Sequence, residues 1–134
     1  MKKILILIFC TIAFSANALE KKTTFDKKLF DKAQSEGKVV VINSWIEYCT
    51  SCASQMKALK QLKNEFENVE YYAFEVTNRE IAKLLDVQYQ TTLLIFKNNK
   101  EVHRSIGVTN KDAIYKVIKS FCIITCYFKN SFIR

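Results

Sequence analysis

The sequence contains no proline, and its only glycines are Gly37 and Gly107. Turns must therefore be built mainly by Asn, Asp, Ser and Thr, the other residues that favour tight bends. No internal repeat, low-complexity segment or linker interrupts the chain. These absences exclude repeat and fibrous proteins and predict one compact unit.

The first 18 residues contain no acidic residue and no apolar run long enough to span a membrane. A spanning helix needs about 20 apolar residues, whereas the run here covers only residues 4–14. Two lysines precede this run and Ser-Ala-Asn-Ala follows it, an arrangement typical of a cleavable secretory signal. We therefore predict a signal peptide at residues 1–18, whose cleavage also removes Cys10. The protein is then expected to be exported, and periplasmic in a Gram-negative bacterium. An uncleaved amphipathic anchor is the alternative.

The predicted mature chain, residues 19–134, is a single domain of about 116 residues with room for its own hydrophobic core. The net charge of +8 falls by two, to +6, when the two lysines of the signal peptide are removed. The remaining lysines are spread from Lys21 to Lys129 rather than clustered with aromatic residues. No nucleic-acid partner is therefore predicted.

Four cysteines remain in the mature chain: Cys49, Cys52, Cys122 and Cys126. Exported proteins tend to keep cysteines oxidised, but a disulfide framework normally belongs to a chain too small to form a core. Because 49% of the residues are hydrophobic, this chain does not need such a framework. We predict that the cysteines serve chemistry.

Hydrophobic periodicity predicts the element order α-β-α-β-α-β-β-α. The predicted helices cover residues 25–37, 49–66, 78–87 and 109–121, and the predicted strands cover residues 38–45, 69–76, 91–97 and 101–107. Unbroken apolar runs predict that the first two strands are buried. Helices between strands imply parallel pairing in a layered α/β domain, to which the final hairpin adds an antiparallel edge. Thr109 and Asp112 predict a capping box at the last helix.

The stretch WIEYCTSC, residues 45–52, places two cysteines between the first strand and the next helix. Cys49 is expected at the N-terminus of that helix, where unpaired N–H groups and the helix dipole favour an anionic sulfur. Such a position can lower the thiol pKa from about 8.5 to about 3.5–7. Cys52 follows one turn later and is expected to be less exposed. This asymmetry suits thiol–disulfide exchange, in which Cys49 attacks and Cys52 resolves the mixed disulfide.

A structural zinc site and a structural disulfide are the competing interpretations of this pair. Zinc needs further ligands, whereas Cys122 and Cys126 are far along the chain and His103 is the only histidine. A disulfide that closes over two residues removes little chain entropy and so stabilises little. A redox-active pair is preferred.

The sequence resembles the thioredoxin superfamily, specifically small exported thioredoxin-like proteins, over about residues 25–121. The resemblance is carried by WIEYCTSC after VVVIN, which matches the pattern W-x-x-[WY]-C-x-x-C, and by TTLLIF downstream. It implies a thioredoxin fold: a central mixed sheet of about four strands flanked by helices, with a C-terminal β-hairpin and helix. It also implies that Cys49 is the nucleophile and Cys52 the resolving cysteine. Trp45 would pack beneath the active site, and Tyr48 would flank Cys49 and limit access.

Asn43 departs from the family pattern, because the family has a buried acid there that assists proton transfer to and from the resolving thiol. An amide cannot take up a proton, so activation of Cys52 must use water or another group, such as Glu75 on the neighbouring strand. The other interpretation is that Asn43 is simply a hydrogen-bonded buried amide.

Thr91 stands where the family has a cis-proline that pairs with the substrate backbone and keeps metals off the thiols. A cis bond before a residue other than proline costs about 2.5–4 kcal/mol, so the Gln90–Thr91 bond is either trans or cis at that cost. We interpret Thr91 as an ordinary strand residue, because β-branched threonine suits a strand. The alternative is that its hydroxyl hydrogen-bonds the Cys49 thiolate. The missing proline leaves copper or zinc binding open.

Thr50 and Ser51 lie between the two cysteines, where strongly oxidising members have a histidine and typical reductants have Gly-Pro. Their hydroxyls can donate hydrogen bonds to a thiolate, so some lowering of the Cys49 pKa is expected. The sequence fixes no potential within the range of about −270 to −120 mV. Gly107 matches a family position where the backbone passes close to the active site; alternatively it only ends a hairpin.

The tail FCIITCYFKNSFIR, residues 121–134, extends past the usual end of the family. In a continuing helix Cys122 and Cys126 share one face, with Cβ atoms about 5–6 Å apart, whereas a disulfide needs about 3.5–4.5 Å. Two buried small side chains are preferred over a second redox or metal pair. The aromatic residues of the tail are candidates for a partner or membrane-surface contact.

These features together predict an exported thiol–disulfide oxidoreductase that acts on protein thiols and disulfides and needs no bound cofactor. We expect a monomer with a weak preference for a reductant or isomerase role, re-reduced by a membrane electron donor. One alternative is a copper or other metal chaperone that uses Cys49 and Cys52, although His103 lies on the predicted edge hairpin. Another is an interaction scaffold without catalysis.

Overall fold

The computed structural model describes residues 21–129, and it describes side chains as far as residue 122. The predicted signal peptide and the last part of the tail lie outside the described residues. The elements, in chain order, are α1 (Lys27–Ser35), β1 (Val39–Trp45), α2 (Thr50–Leu62), β2 (Val69–Glu75), α3 (Arg79–Leu84), β3 (Thr92–Lys97), β4 (Lys100–Ile106) and α4 (Lys111–Lys129). The predicted element order is therefore confirmed.

The four strands form one mixed sheet in the order β2-β1-β3-β4. β1 and β2 are parallel, as predicted, but β3 runs antiparallel to β1 and to β4. The prediction that a helix between strands implies parallel pairing is thus wrong for β3. The connection that contains α3 begins at Val76, whose N–H donates to the Trp45 carbonyl, and ends at Thr91, whose N–H donates to the Ser44 carbonyl. It therefore leaves and re-enters the sheet at the same end of β1. β3 therefore starts at the carboxyl end of β1, where Leu93 pairs with Asn43.

Burial follows position in the sheet. All seven residues of β1 are buried, as predicted for a central strand. The prediction of a buried second strand is wrong, because β2 lies at the sheet edge and most of its residues are only half-buried. Its Phe74 is nevertheless fully buried.

Helices cover both faces of the sheet and produce two apolar layers. Burial in these layers stabilises the fold by about 25 cal/mol per Å² of apolar surface removed from water. The layer beneath α2 and α4 contains Val39, Val41, Leu59, Leu62, Leu93, Ile95, Ile114 and Ile118. The layer beneath α1 and α3 contains Phe25, Ala33, Val40, Ile42, Phe74, Leu85, Val87 and Leu94. Alternate residues of β1 thus enter opposite layers, as the pleat of a strand requires.

Polar side chains cap several helices. Asp26 accepts a hydrogen bond from the Leu29 N–H at the start of α1, and Asn78 accepts one from the Ile81 N–H at the start of α3. The prediction of a capping box at Thr109 is wrong. Asn110 occupies that role instead, since its Oδ1 accepts a hydrogen bond from the N–H three residues later, the geometry that an N-cap requires.

The last helix extends into the tail as far as Lys129. The backbone at Cys122 and Cys126 is therefore helical, as the prediction of a shared face requires. Cys122 packs at the margin of the α2–α4 layer, and the side chain of Cys126 lies outside the described residues. Within residues 21–129, no helix combines the length and the apolar character that crossing a membrane would take.

Candidate active site

The turn between β1 and α2 places Cys49 at the start of the helix. Cys49 is the N-cap residue of α2, and its sulfur accepts a hydrogen bond from the Cys52 backbone N–H at 3.2 Å. Tyr48 before it has a φ of 55°, a left-handed conformation uncommon outside glycine. The Cys49 sulfur therefore faces the unpaired N–H groups of the first turn, which stabilise an anion at this position.

Cys49 and Cys52 form a disulfide, with Cα atoms 5.3 Å apart. Cys49 is half-buried, whereas Cys52 is 0% exposed. Trp45, which is 4% exposed, and Met56 pack around Cys52 in a small apolar cluster beneath the disulfide. A sulfur of another molecule can reach Cys49 but not Cys52, which is the arrangement that an attacking and a resolving cysteine require.

Thr91 is not an ordinary strand residue, contrary to the preferred sequence interpretation. It precedes β3, has a φ of 57° and follows a trans peptide bond. Its N–H donates to the Ser44 carbonyl at 2.9 Å, and its carbonyl accepts from the Gly107 N–H at 2.9 Å and from Gln55 Nε2 at 3.3 Å. A left-handed conformation is unfavourable for a β-branched residue and persists only where neighbours determine it, as these three contacts do.

The Thr91 hydroxyl lies directly beside the disulfide. Its Oγ1 is 3.2 Å from Cys52 Sγ and 3.7 Å from Cys49 Sγ. Ser51 Oγ is 2.9 Å from this hydroxyl and 3.4 Å from Cys49 Sγ. The alternative considered for the sequence, a Thr91 hydroxyl in contact with Cys49, therefore describes the geometry better, although the hydroxyl is closer to Cys52.

Asn43 is buried on the same face of β1 as Trp45, below the active site. Asn43 is thus a buried amide, as one interpretation of the sequence held, but its Nδ2 has no hydrogen-bond partner among the described residues. Glu75 pairs with Trp45 at the end of β2 and is half-buried. No described contact joins the Glu75 side chain to Cys52, which leaves its suggested role in activating that thiol a prediction.

The other predicted site residues surround the disulfide in different ways. Tyr48 is 99% exposed, so its ring does not cover Cys49, and the expectation that it limits access is not met. Thr50 is the exposed first residue of α2. Gly107 has a φ of 77°, and no atom lies within 4 Å of the position a Cβ would take. Glycine is therefore favoured there by its backbone conformation rather than by lack of space.

Sequence reasoning missed two buried polar side chains that hold the site together. The Ser44 hydroxyl donates to the Tyr89 carbonyl at 2.8 Å and accepts from the Thr92 N–H at 3.0 Å. Gln55 is 0% exposed and its Nε2 also donates to the Val108 carbonyl at 2.8 Å, so it joins the segments on both sides of the β3–β4 hairpin. The available signal was a polar residue at a position where strand or helix periodicity expects an apolar one.

His103 lies in the middle of the edge strand β4, opposite Ile95, and not at the end of the sheet that carries the cysteines. Among the described residues, no group of three or more His, Cys, Asp or Glu side chains is arranged to hold a metal ion. The cysteine pair and its two hydroxyl neighbours therefore constitute the chemically reactive part of this end of the sheet.

Sequence comparisons place this geometry in a family. A sequence model of the thioredoxin family matches residues 17–120. The thioredoxin of Chlamydia trachomatis is 31% identical over 81 residues, which cover 60% of this chain and 79% of that protein. Thioredoxin-1 of Saccharomyces cerevisiae is 29% identical over 90 residues, which cover 66% of this chain and 86% of the yeast protein.

Solved structures show the same fold. Trxlp from Edwardsiella tarda gives a TM-score of 0.66 at 24% identity, over 69% of this chain and 93% of Trxlp. Fasciola hepatica thioredoxin gives a TM-score of 0.63 at 25% identity, over 70% of this chain and 88% of that thioredoxin. The chain therefore belongs to the thioredoxin family and, with its Cys49–Cys52 disulfide, is an oxidoreductase of that family.

Proposed function

We propose that the protein is an exported protein-disulfide oxidoreductase that works mainly as a reductant. The observation that carries this proposal is the half-buried Cys49 at the N-terminus of α2, disulfide-bonded to the fully buried Cys52. Thioredoxins act on disulfides of proteins. A protein substrate could reach Cys49 from its exposed side but could not reach the buried Cys52. We also propose that the protein is a monomer with one site per chain.

In the reductive direction the Cys49 thiolate attacks one sulfur of a substrate disulfide. A mixed disulfide forms and the first substrate sulfur leaves as a thiolate. Cys52 then loses its proton and attacks the Cys49 sulfur, which releases the second substrate thiolate and forms the Cys49–Cys52 disulfide. The substrate gains two electrons and the protein loses two, so no bound cofactor is required.

The preference for reduction rests on how the Cys49 sulfur is surrounded. Its hydrogen-bonding neighbours are a backbone N–H and the hydroxyls of Ser51 and Thr91, and none of them carries a charge. In a strong oxidant the reduced form is heavily stabilised. A cation near the thiolate is an effective way to stabilise that form. Because an exported reductant has no access to cytosolic electron donors, we propose that a membrane electron-transfer protein re-reduces the pair.

Export rests on residues 1–18, whose basic, apolar and small-residue segments follow one another as in a secretory signal. We propose cleavage after Ala18. N-terminal sequencing of the protein recovered from the periplasm of a Gram-negative host tests this directly. A chain that retains its first residues in the membrane fraction would instead support the uncleaved anchor.

The direction of electron flow is tested by equilibrating the protein with defined ratios of reduced and oxidised glutathione. We expect a reduction potential below about −200 mV, closer to the value of about −270 mV for thioredoxin than to about −120 mV for a strong oxidant. A potential above about −150 mV would reverse the proposed direction.

Copper bound stoichiometrically to Cys49 and Cys52 after purification would support the metal-binding alternative, and Cys49→Ser is the control that must abolish such binding.

A further inference from the structure

The second half of the exchange reaction poses a proton-transfer problem at Cys52. This sulfur is 0% exposed and packs against Trp45 and Met56, so its proton cannot pass directly to bulk water. A buried thiol in apolar surroundings also has a raised pKa, which disfavours the thiolate that must attack. Asn43 below it offers an amide, which is not a proton acceptor under these conditions.

The Thr91 hydroxyl is the group placed to solve this problem. Its Oγ1 is 3.2 Å from Cys52 Sγ and 2.9 Å from Ser51 Oγ. Thr91 is 3% exposed, whereas Ser51 is exposed. The two hydroxyls therefore form a continuous path from the buried sulfur to solvent, and each hydroxyl can accept one proton while it donates another.

We infer that Thr91 and Ser51 relay the proton of Cys52 to solvent during resolution of the mixed disulfide. The inference rests on the proposed exchange function. As the Cys52 sulfur attacks Cys49, the S–H proton passes to Thr91 Oγ1, the Thr91 hydroxyl proton passes to Ser51 Oγ, and the Ser51 hydroxyl proton passes to water. The Cys49–Cys52 bond forms, the bond between Cys49 and the substrate sulfur breaks, and the substrate leaves as a thiolate.

The backbone geometry explains why the relay needs the unusual conformation of Thr91. Three contacts, from Ser44, Gly107 and Gln55, hold Thr91 in the left-handed region just before β3. In that position its hydroxyl is within 4 Å of both disulfide sulfurs. Thr91 is thus a catalytic residue that touches a reacting sulfur, and Ser51 connects it to solvent.

The relay is tested in stopped-flow experiments with reduced protein of residues 19–134 and 5,5′-dithiobis(2-nitrobenzoate), a chromophoric disulfide. Cys122 and Cys126 are replaced by serine in this background protein, so that Cys49 and Cys52 are its only thiols. Attack by Cys49 releases one nitrothiobenzoate and attack by Cys52 releases the second, so the two steps are observed separately. Because positioned proton transfer contributes about 10²–10⁴-fold, we expect Thr91→Val to slow the second release at least about 10-fold more than the first. Thr91→Ser, which restores the hydroxyl, should recover the second rate.

Ser51→Ala provides an independent test at an exposed position that folding tolerates. Ser51→Ala should slow the second release less than Thr91→Val does, because a water molecule can occupy the place of the Ser51 hydroxyl. The control is Ser54→Ala on the same exposed helix surface, which should change neither phase. If the background protein with Thr91 and Ser51 intact released fewer than two nitrothiobenzoates, that result would contradict the exchange function itself. Two full releases in Thr91→Val, with an unchanged ratio of the two rates, would overturn the relay alone.

Discussion

Replacing Cys49 with serine is expected to lower the catalysed rate of insulin disulfide reduction by at least about 10³-fold, which brings it to the uncatalysed background. The serine hydroxyl is not ionised at neutral pH, so the N–H group that holds the Cys49 sulfur has no anion to stabilise. Cys52 cannot take over, because it is fully buried. Precipitation of the insulin B chain, followed by turbidity with dithiothreitol as electron donor, measures the rate.

Cys122→Ser is the matched control, since it also removes one sulfur but lies on α4 at the margin of the core. We expect it to retain wild-type activity. An equal loss in Cys122→Ser would instead support the second redox pair that the tail sequence left open. Activity that survives in Cys49→Ser would remove the proposed mechanism.

Replacing Phe74 with alanine is expected to lower the free energy of unfolding by about 3–5 kcal/mol, the usual cost of truncating a buried aromatic residue. Phe74 is 0% exposed and packs into the layer beneath α1 and α3, away from the cysteines. The loss is a large part of the total stability of a small domain, typically about 5–15 kcal/mol. Urea denaturation of the oxidised protein measures it.

Tyr48→Ala is the control for the stability experiment, because it removes an aromatic side chain that is 99% exposed. A change within about 0.5 kcal/mol is expected for such a surface position. If Phe74→Ala and Tyr48→Ala had similar effects on the urea midpoint, Phe74 would not occupy the core in which the structure places it.

The sequence was sufficient to predict the elements and the reactive pair, because both depend on local pattern. The unbroken run of β1 predicted a central strand, and the pair that follows it predicted a sulfur at a helix start. Strand direction was less accessible. Periodicity is identical for parallel and antiparallel strands. The antiparallel direction of β3 follows from a connection that begins and ends at the same end of β1, which only the tertiary structure shows.

Thr91 shows most clearly what local pattern cannot supply. Threonine favours strands, and the segment TTLLIF has the composition of one, so a strand residue was the natural expectation. Its left-handed conformation is imposed by partners distant in the chain, Ser44 on β1 and Gln55 on α2. Only the tertiary structure brings its hydroxyl to Cys52.

The pKa of the Cys49 thiol in the reduced protein is the most direct test of the central claim, that a helix N-terminus makes this sulfur the attacking nucleophile. The rate of iodoacetamide labelling is measured as a function of pH, with peptide mass spectrometry to separate Cys49 from the other cysteines, and the protein in concentrated urea is the reference. We predict a pKa for Cys49 at least about one unit below the unperturbed value of about 8.5. A folded-state value at or above that of the urea-unfolded chain would contradict the account.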